Sequence, residues 1–131
     1  MKRTLAISAS VLTLSSAGLI GLSPTAQADS RASCGANRFC LYEGYSFERG
    51  VYRHKPRPGS WYRVNLPSSI NDQASSMVNN TKYDVFMYSG RDCFGDAYTA
   101  AAKSSDKDLA HNSGNNKGNM SNRVTCITVS K

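Results

Sequence analysis

Few side chains of this 131-residue chain have the chemistry of a catalytic centre. It contains two histidines, His54 and His111, one in a basic stretch and the other in a polar one. There is no Gly-x-Ser-x-Gly nucleophile motif, no His-Glu-x-x-His zinc motif and no acidic pair placed by regular structure. We therefore expect a binding protein that is not an enzyme and needs no catalytic cofactor.

The cysteines are the other reactive side chains, and all of them follow residue 28: Cys34, Cys40, Cys93 and Cys126. An even number of cysteines in an exported chain indicates two disulfides, and the sequence allows three pairings. We favour Cys34 with Cys40, which closes a short loop, and Cys93 with Cys126, which closes a long one and contributes roughly 3–4 kcal/mol. Zinc binding or a catalytic thiol is the alternative, but C-x-x-C spacing and nearby histidines are missing.

The N-terminal segment predicts export. A basic start, Lys2-Arg3, precedes an apolar run over 5–22 and a small-residue cleavage site, Ala26-Gln27-Ala28. We expect residues 1–28 to be removed as a signal peptide, leaving 29–131 as one secreted, extracellular, monomeric domain. A membrane span is disfavoured, because Ser and Thr interrupt the run and the cleavage site follows it directly.

The basic side chains are concentrated in one stretch, here called the basic segment: Arg49, Arg53, His54, Lys55, Arg57 and Arg63. Removal of residues 1–28 lowers the Lys and Arg count from 16 to 14 against 9 acidic residues, so the formal charge falls from +7 to +5. Such a segment suits an acidic protein or an anionic polymer. A solvated surface is the simpler interpretation, and we expect no nucleic-acid partner because interleaved aromatic residues are not evident.

An internal repeat organises the chain. Four pairs of identical residues are 46 positions apart: Tyr42 and Tyr88, Gly44 and Gly90, Ser75 and Ser121, Val78 and Val124. This spacing predicts two units, about 38–80 and 84–129, and the constant offset from one end of a unit to the other predicts no insertion inside the second unit relative to the first. Alternating apolar residues and turn signals predict strands at 38–43, 51–54, 61–64, 75–80, 83–89, 96–101 and 123–129. Residues 103–119 are predicted to be mostly loop, and the expected fold is all-β, two Greek-key motifs packed as a β-sandwich.

Particular motifs in the repeat resemble known families. Tyr-x-Gly-x-x-Phe at Tyr42 and Ser-Ser-Met-Val at Ser75 resemble the βγ-crystallin Greek-key motif. Cys40-Leu41-Tyr42-Glu43-Gly44, residues 74–81, and Tyr88-x-Gly followed by Cys93 resemble the small secreted peptidase-inhibitor family whose prototype is the streptomycete metalloproteinase inhibitor. The resemblance covers 34–129. It implies a βγ-crystallin-like fold and, for the prototype, substrate-like blocking of thermolysin-type zinc proteases.

One position departs from the crystallin pattern. The glycine seven residues after the tyrosine is Gly95 in the second unit, but Arg49 in the first, with Gly50 one place later. We therefore expect a bulge in the first hairpin.

A possible calcium site follows from the same resemblance. Asn71, Asp72 and Ser75 fit the crystallin calcium motif, whereas the expected counterpart at 117–122 does not. Calcium prefers six to eight oxygen ligands, so we interpret Asn71 and Asp72 first as turn formers and keep calcium as the alternative.

The candidate site is the second hairpin loop, here called loop 91–95: Arg91, Asp92, Cys93, Phe94 and Gly95. The repeat aligns Phe47 with Cys93 and Glu48 with Phe94, so Phe94 faces solvent if Phe47 points inward. The alternative is a one-residue shift that places Phe94 in the core. An exposed apolar residue after a half-cystine is suited to the specificity pocket of a zinc protease, with the Cys93 carbonyl near the metal. The competing hypothesis is a non-inhibitory crystallin-type module or toxin-like protein that uses the basic segment at an anionic cell surface.

Overall fold

The computed structural model describes residues 33–112 and 118–130, so the predicted signal peptide lies outside the described residues. The described part is an all-β structure of antiparallel strands, as the sequence predicted. The strands are β1 (Phe39–Tyr42), β2 (Val51–His54), β3 (Tyr62–Asn65), β4 (Ser76–Asn79), β5 (Val85–Gly90), β6 (Phe94–Ala100), β7 (Ser105–Asp106) and β8 (Cys126–Val129). Within residues 33–112 and 118–130, no helix is long and apolar enough to cross a membrane.

The strands form two four-stranded sheets, in the orders β2-β1-β4-β7 and β3-β8-β5-β6. The third strand of each unit therefore joins the sheet of the other unit, and the predicted pair of Greek keys is confirmed. Strand β7 lies where the sequence predicted loop. Its two polar residues carry no apolar pattern, and they are held by pairing with β4 and by the Tyr98 hydroxyl, which donates to Asp106 Oδ2 over 2.8 Å.

The core lies between the two sheets. It includes Phe39, Leu41 and Met77 from the first sheet and Val85, Met87, Ile127 and Val129 from the second. These side chains alternate along their strands, as a pleated strand with one face in the core requires. Leu109, the large apolar residue of the polar stretch 103–119, is fully buried and belongs to the same core cluster.

The register of the last strands corrects one prediction. Tyr42 pairs with Ser76, whereas Tyr88, 46 residues after Tyr42, pairs with Cys126, which is 50 residues after Ser76. The turn before each last strand follows the same offset, since Asp72 and Asn122 both have φ near 55°. The prediction of no insertion is therefore wrong: four additional residues lie between the second hairpin and β8. Surface connections accept such insertions at little energetic cost.

The two hairpins nevertheless share one backbone conformation at an offset of 46. Left-handed φ values occur at Ser46, Phe47 and Arg49, and at the corresponding Asp92, Cys93 and Gly95. Arg49 itself has φ 65°, so the glycine position is not displaced to Gly50 and the first hairpin has no additional bulge. The register shift in both hairpins is the same, with Gly44 N donating to Glu48 O over 3.0 Å where Gly90 pairs with Phe94.

Each hairpin is tied to the last strand of its unit, by different chemistry. In the first unit, the Ser76 hydroxyl accepts from Phe47 N over 3.0 Å and donates to Gly44 O over 2.6 Å. In the second unit, the corresponding positions are Cys93 and Cys126, which form a disulfide. A hydrogen bond contributes about 1 kcal/mol net, whereas a disulfide across 33 residues contributes roughly 4 kcal/mol in the chain-entropy model. The second hairpin is thus held more tightly. The other predicted disulfide, Cys34–Cys40, is also present.

His54 and His111 have unrelated surroundings. His54, on β2, shares a hydrogen bond of 2.9 Å with the Tyr62 hydroxyl on β3, so it links the two sheets. Burial of the imidazole, and then the positive charge of Arg57, lower the pKa of His54. His111 is exposed and lies 2.7 Å from Asp108.

A serine at position 126 should partly replace the disulfide, because Ser76 holds the first hairpin to its last strand at the corresponding position. Cys93→Ala/Cys126→Ser should lose less stability than Cys93→Ala/Cys126→Ala, by about 1–2 kcal/mol, because the new hydroxyl can repeat the two hydrogen bonds of Ser76. Urea unfolding of both variants measures the difference. Equal stabilities would show that the two junctions are not equivalent.

The lowered pKa of His54 predicts a pH-dependent stability. The unfolded chain binds a proton at His54 more readily than the folded one, so stability should decrease as the pH falls through about 6.5 and level off below the folded-state pKa. Urea unfolding between about pH 7.5 and pH 5 measures the slope. His54→Asn should flatten it; an unchanged slope in His54→Asn would refute the assignment.

Candidate functional site

Loop 91–95 presents a large apolar side chain to solvent. Phe94 is 70% exposed, whereas Cys93 beside it is held against β8 by its disulfide. The offset of 46 is kept through the loop, so the alternative of a one-residue shift into the core is wrong. Phe47, the counterpart of Cys93, instead packs edge-on against Tyr42 with ring centroids 5.8 Å apart. The second unit has therefore exchanged an aromatic contact for a covalent one, and the next side chain projects outward.

The backbone of the loop is unusual on one side of the Cys93–Phe94 peptide bond. Asp92 and Cys93 are left-handed, with φ of 59° and 62°, whereas Phe94 is extended, with φ −109° and ψ 170°. Non-glycine residues adopt the left-handed region at a cost, and persist there only where the surroundings hold them. The contacts that hold the loop are therefore part of the site.

Side chains of β3 hold the N-terminal part of the loop. Asn65 Nδ2 donates to Asp92 Oδ1 over 2.8 Å, and Asp92 N donates to Asn65 Oδ1 over 2.9 Å. Arg63 Nη1 donates to the Asp92 carbonyl over 3.2 Å. Sequence reasoning missed Asn65, because a polar residue 27 positions before the loop gives no local signal that the two meet.

Other contacts fix the C-terminal part. Asp96 N donates to Ser89 Oγ over 3.0 Å, and the Asp96 carboxylate accepts from Arg123 over 2.7 Å. A β-carbon at Gly95 would lie 2.6 Å from Ser89 Oγ, and one at Gly90 would lie 2.6 Å from Phe94 O. Gly90 is therefore required by its close approach to a main-chain oxygen, whereas a side chain at Gly95 would have to displace the Ser89 hydroxyl.

An exposed patch on β3 adjoins the loop. Trp61, immediately before β3, is 53% exposed, and the Arg63 guanidinium lies 5.4 Å from its ring centroid. Because Arg63 also contacts the Asp92 carbonyl, Trp61 and loop 91–95 belong to one continuous surface.

The basic segment is partly engaged within the chain. The Arg57 guanidinium lies 4.8 Å from the Tyr62 ring centroid, and Arg53 donates to the Ser33 carbonyl over 3.0 and 3.2 Å. Aromatic rings do lie among these charges, contrary to the sequence-based expectation. An arginine of the same chain lies over one face of each of the rings of Trp61 and Tyr62, and Trp61 nevertheless remains half exposed.

The residues of the calcium motif are occupied by hydrogen bonds. Asp72 Oδ1 accepts from Thr125 over 2.9 Å, Asp72 Oδ2 accepts from Asn71 over 3.3 Å, and the Ser75 hydroxyl accepts from Ser121 over 3.0 Å. Asn71 and Asp72 lie in a turn before β4, as expected for turn formers. In the described ranges, no group of three or more His, Cys, Asp or Glu side chains could hold a metal ion. We derive no function through calcium.

The 50-residue register also corrects the counterpart of this motif. The equivalent segment is 121–126, and not 117–122 as the sequence suggested. Its last position is Cys126, whose sulfur is in the disulfide, so the second unit has a half-cystine where the motif has a serine.

The described structure is similar to solved βγ-crystallin domains. A domain from a study of the evolution of the eye-lens βγ-crystallin fold matches with a TM-score of 0.60 and 16% identity, over 74% of this chain and 88% of that one. The Ca²⁺-bound βγ-crystallin domain of Abundant Perithecial Protein from Neurospora crassa matches with a TM-score of 0.52 and 15% identity, over 72% and 88%. The βγ-crystallin from Ciona intestinalis gives 0.52 and 15%, over 69% and 95%. These likenesses define the class of the fold as βγ-crystallin-like.

A match to a protein-family model assigns the chain to a particular family. The model of peptidase inhibitor family I36 matches residues 27–100, more than half of the chain, and the chain belongs to this family. It is therefore a peptidase inhibitor and not an enzyme, and its partner is a protease. No curated protein sequence matched the chain. The family assignment favours the inhibitor hypothesis over the cell-surface module.

Proposed function

We propose that this peptidase inhibitor blocks thermolysin-type zinc proteases through loop 91–95. The observation that supports the proposal is Phe94, 70% exposed directly after the half-cystine Cys93. Thermolysin-type enzymes select a bulky apolar residue on the nitrogen side of the cleaved bond, as the family resemblance implies. Phe94 fills that apolar pocket, and the Cys93 carbonyl oxygen takes the place of the substrate carbonyl beside the zinc of the protease.

The conformation of the loop favours binding over turnover. Cys93 is left-handed and Phe94 is extended, so the bond between them departs from a continuous extended strand. If water adds across this bond, the new carboxylate at Cys93 stays attached to β8 through the disulfide, and the new amine at Phe94 stays in the β5–β6 pairing. The two ends remain close together, and a pre-ordered loop loses little conformational entropy on binding.

The rest of the contact extends over β3. A stable protease–inhibitor interface needs roughly 800 Å² from each partner, more than one short loop presents. Trp61 and Arg63 are continuous with the loop through the Asp92 carbonyl. Tryptophan and arginine often dominate interface energetics. The basic segment favours an acidic surface beside the protease cleft.

We also propose that the inhibitor acts outside the cell as a monomer, with residues 1–28 removed and 29–131 forming the mature domain. The two disulfides support this location, because such bonds persist mainly in oxidising compartments.

Phe94 is expected to anchor the contact with the protease. Phe94→Ala should weaken the inhibition of thermolysin by at least about 30-fold, the loss expected when an interface anchor is removed. The melting temperature should change little, because the side chain is outside the core. Steady-state inhibition constants and thermal unfolding measure the two effects.

Tyr45→Ala is the matched control, because Tyr45 is 50% exposed on the first hairpin and aligns with Arg91. It should leave inhibition unchanged. If Phe94→Ala inhibits as well as the wild type, the site is assigned wrongly; if only proteases of other classes are inhibited, the zinc-protease target is wrong.

Trp61 is expected to contact the protease beside loop 91–95. Trp61→Ala should weaken inhibition by about 10-fold, mostly through faster dissociation, because it removes an apolar contact at the edge of the loop. Surface plasmon resonance with immobilised thermolysin measures the rates. Equal dissociation rates for Trp61→Ala and Tyr45→Ala would exclude Trp61 from the interface.

A further inference from the structure

The two hairpins satisfy the same backbone N–H group in different ways. In the first hairpin, the left-handed residue Ser46 donates its N–H to the main-chain carbonyl of Lys107 over 2.9 Å. In the second, the corresponding residue Asp92 donates its N–H to the side chain of Asn65 over 2.9 Å. The second loop therefore depends on one side chain where the first depends on the main chain.

We propose that Asn65 is a positioning residue that holds loop 91–95 in the conformation that binds the protease. This inference rests on the proposed function and goes further, because it assigns the control of inhibition to a residue of the first repeat unit. Asn65 is not required to touch the protease. It acts through Asp92, the residue before the half-cystine.

The chemistry of the contact requires an amide. Asn65 accepts from Asp92 N with its oxygen and donates to Asp92 Oδ1 with its nitrogen. An amide side chain provides both functions on adjacent atoms, whereas a carboxylate only accepts. The carboxylate acceptor makes one of the two bonds charge-assisted, and such bonds are stronger than neutral ones.

The disulfide does not fix the backbone conformation of Asp92. It fixes Cys93 to β8, with the two Cα atoms 5.0 Å apart, but it places no direct constraint on the peptide group between Arg91 and Asp92. Without an acceptor for its N–H, Asp92 would no longer be held in the left-handed conformation. The Phe94 side chain would then adopt a broader range of orientations in the free inhibitor. A binding loop that must be ordered on association has a lower affinity.

A swap of the two side-chain types tests the proposal. In Asn65→Asp, two carboxylates face each other, and inhibition of thermolysin should weaken by about 10-fold or more, equivalent to about 1.4 kcal/mol. In Asn65→Asp/Asp92→Asn, the carboxylate at position 65 can accept from both the side-chain amide and the N–H at position 92. Inhibition should return to within about threefold of the wild type.

Two further readouts separate positioning from general stability. Amide hydrogen exchange at position 92 should accelerate in Asn65→Asp, because repulsion between the two carboxylates moves the acceptor at position 65 away from the Asp92 N–H, and slow again in the double variant. Thermolysin should hydrolyse the 93–94 bond faster in Asn65→Asp, because a loosened loop approaches a substrate. Asn80→Ala is the control, since the Asn80 side-chain amide also donates a hydrogen bond, here to the Gly35 carbonyl over 2.8 Å and away from the loop. It should change melting temperature only.

The outcomes are distinct. Full inhibition by Asn65→Asp, or no recovery in the double variant despite a native fold and restored exchange protection, overturns the positioning role alone. Unchanged exchange at position 92 in Asn65→Asp overturns it as well. A wild type that inhibits no zinc protease overturns the proposed function and the positioning role together.

Discussion

The structure depends on the attachment of each β-hairpin to the last strand of its own unit. In the first unit a serine hydroxyl makes this attachment, and in the second unit the Cys93–Cys126 disulfide makes it. The covalent bond has two consequences. It removes the phenylalanine that packs at this position in the first unit, and it anchors the backbone next to Phe94. The hairpin can then stay folded although a large apolar side chain is exposed to solvent.

The two units show how one backbone can serve two purposes. Both hairpins have left-handed residues at the same positions, including a non-glycine residue, Arg49, where the second unit has Gly95. The conformation is thus a property of the fold and not of the site. What distinguishes the second hairpin is its side chains: a half-cystine, an exposed aromatic ring, and an aspartate held by a distant asparagine. We infer that the first hairpin is architectural and the second is functional.

The crossover of the third strands connects the units. Because β3 pairs with β8 in the second sheet, residues of the first unit lie beside the loop of the second. Trp61, Arg63 and Asn65 reach the loop for this reason, although the repeat assigns them to the other half of the chain. A two-unit fold with separate sheets would leave loop 91–95 without the contacts that hold Asp92.

The sequence by itself determined the all-β class and the presence of two disulfides, because these follow from local alternation and from the cysteine count, and its spacing predicted two repeat units. It favoured the observed cysteine pairing and the outward direction of Phe94, but only the structure excluded the alternatives. It did not reveal β7, whose Ser105-Asp106 pair has no pattern, or the 50-residue register of β8, because chance identities at Ser121 and Val124 imitated the 46-residue repeat. Only the tertiary structure brought Asn65 to Asp92. That contact joins residues 27 positions apart through a strand exchange between sheets, and no local physical preference in either segment encodes it.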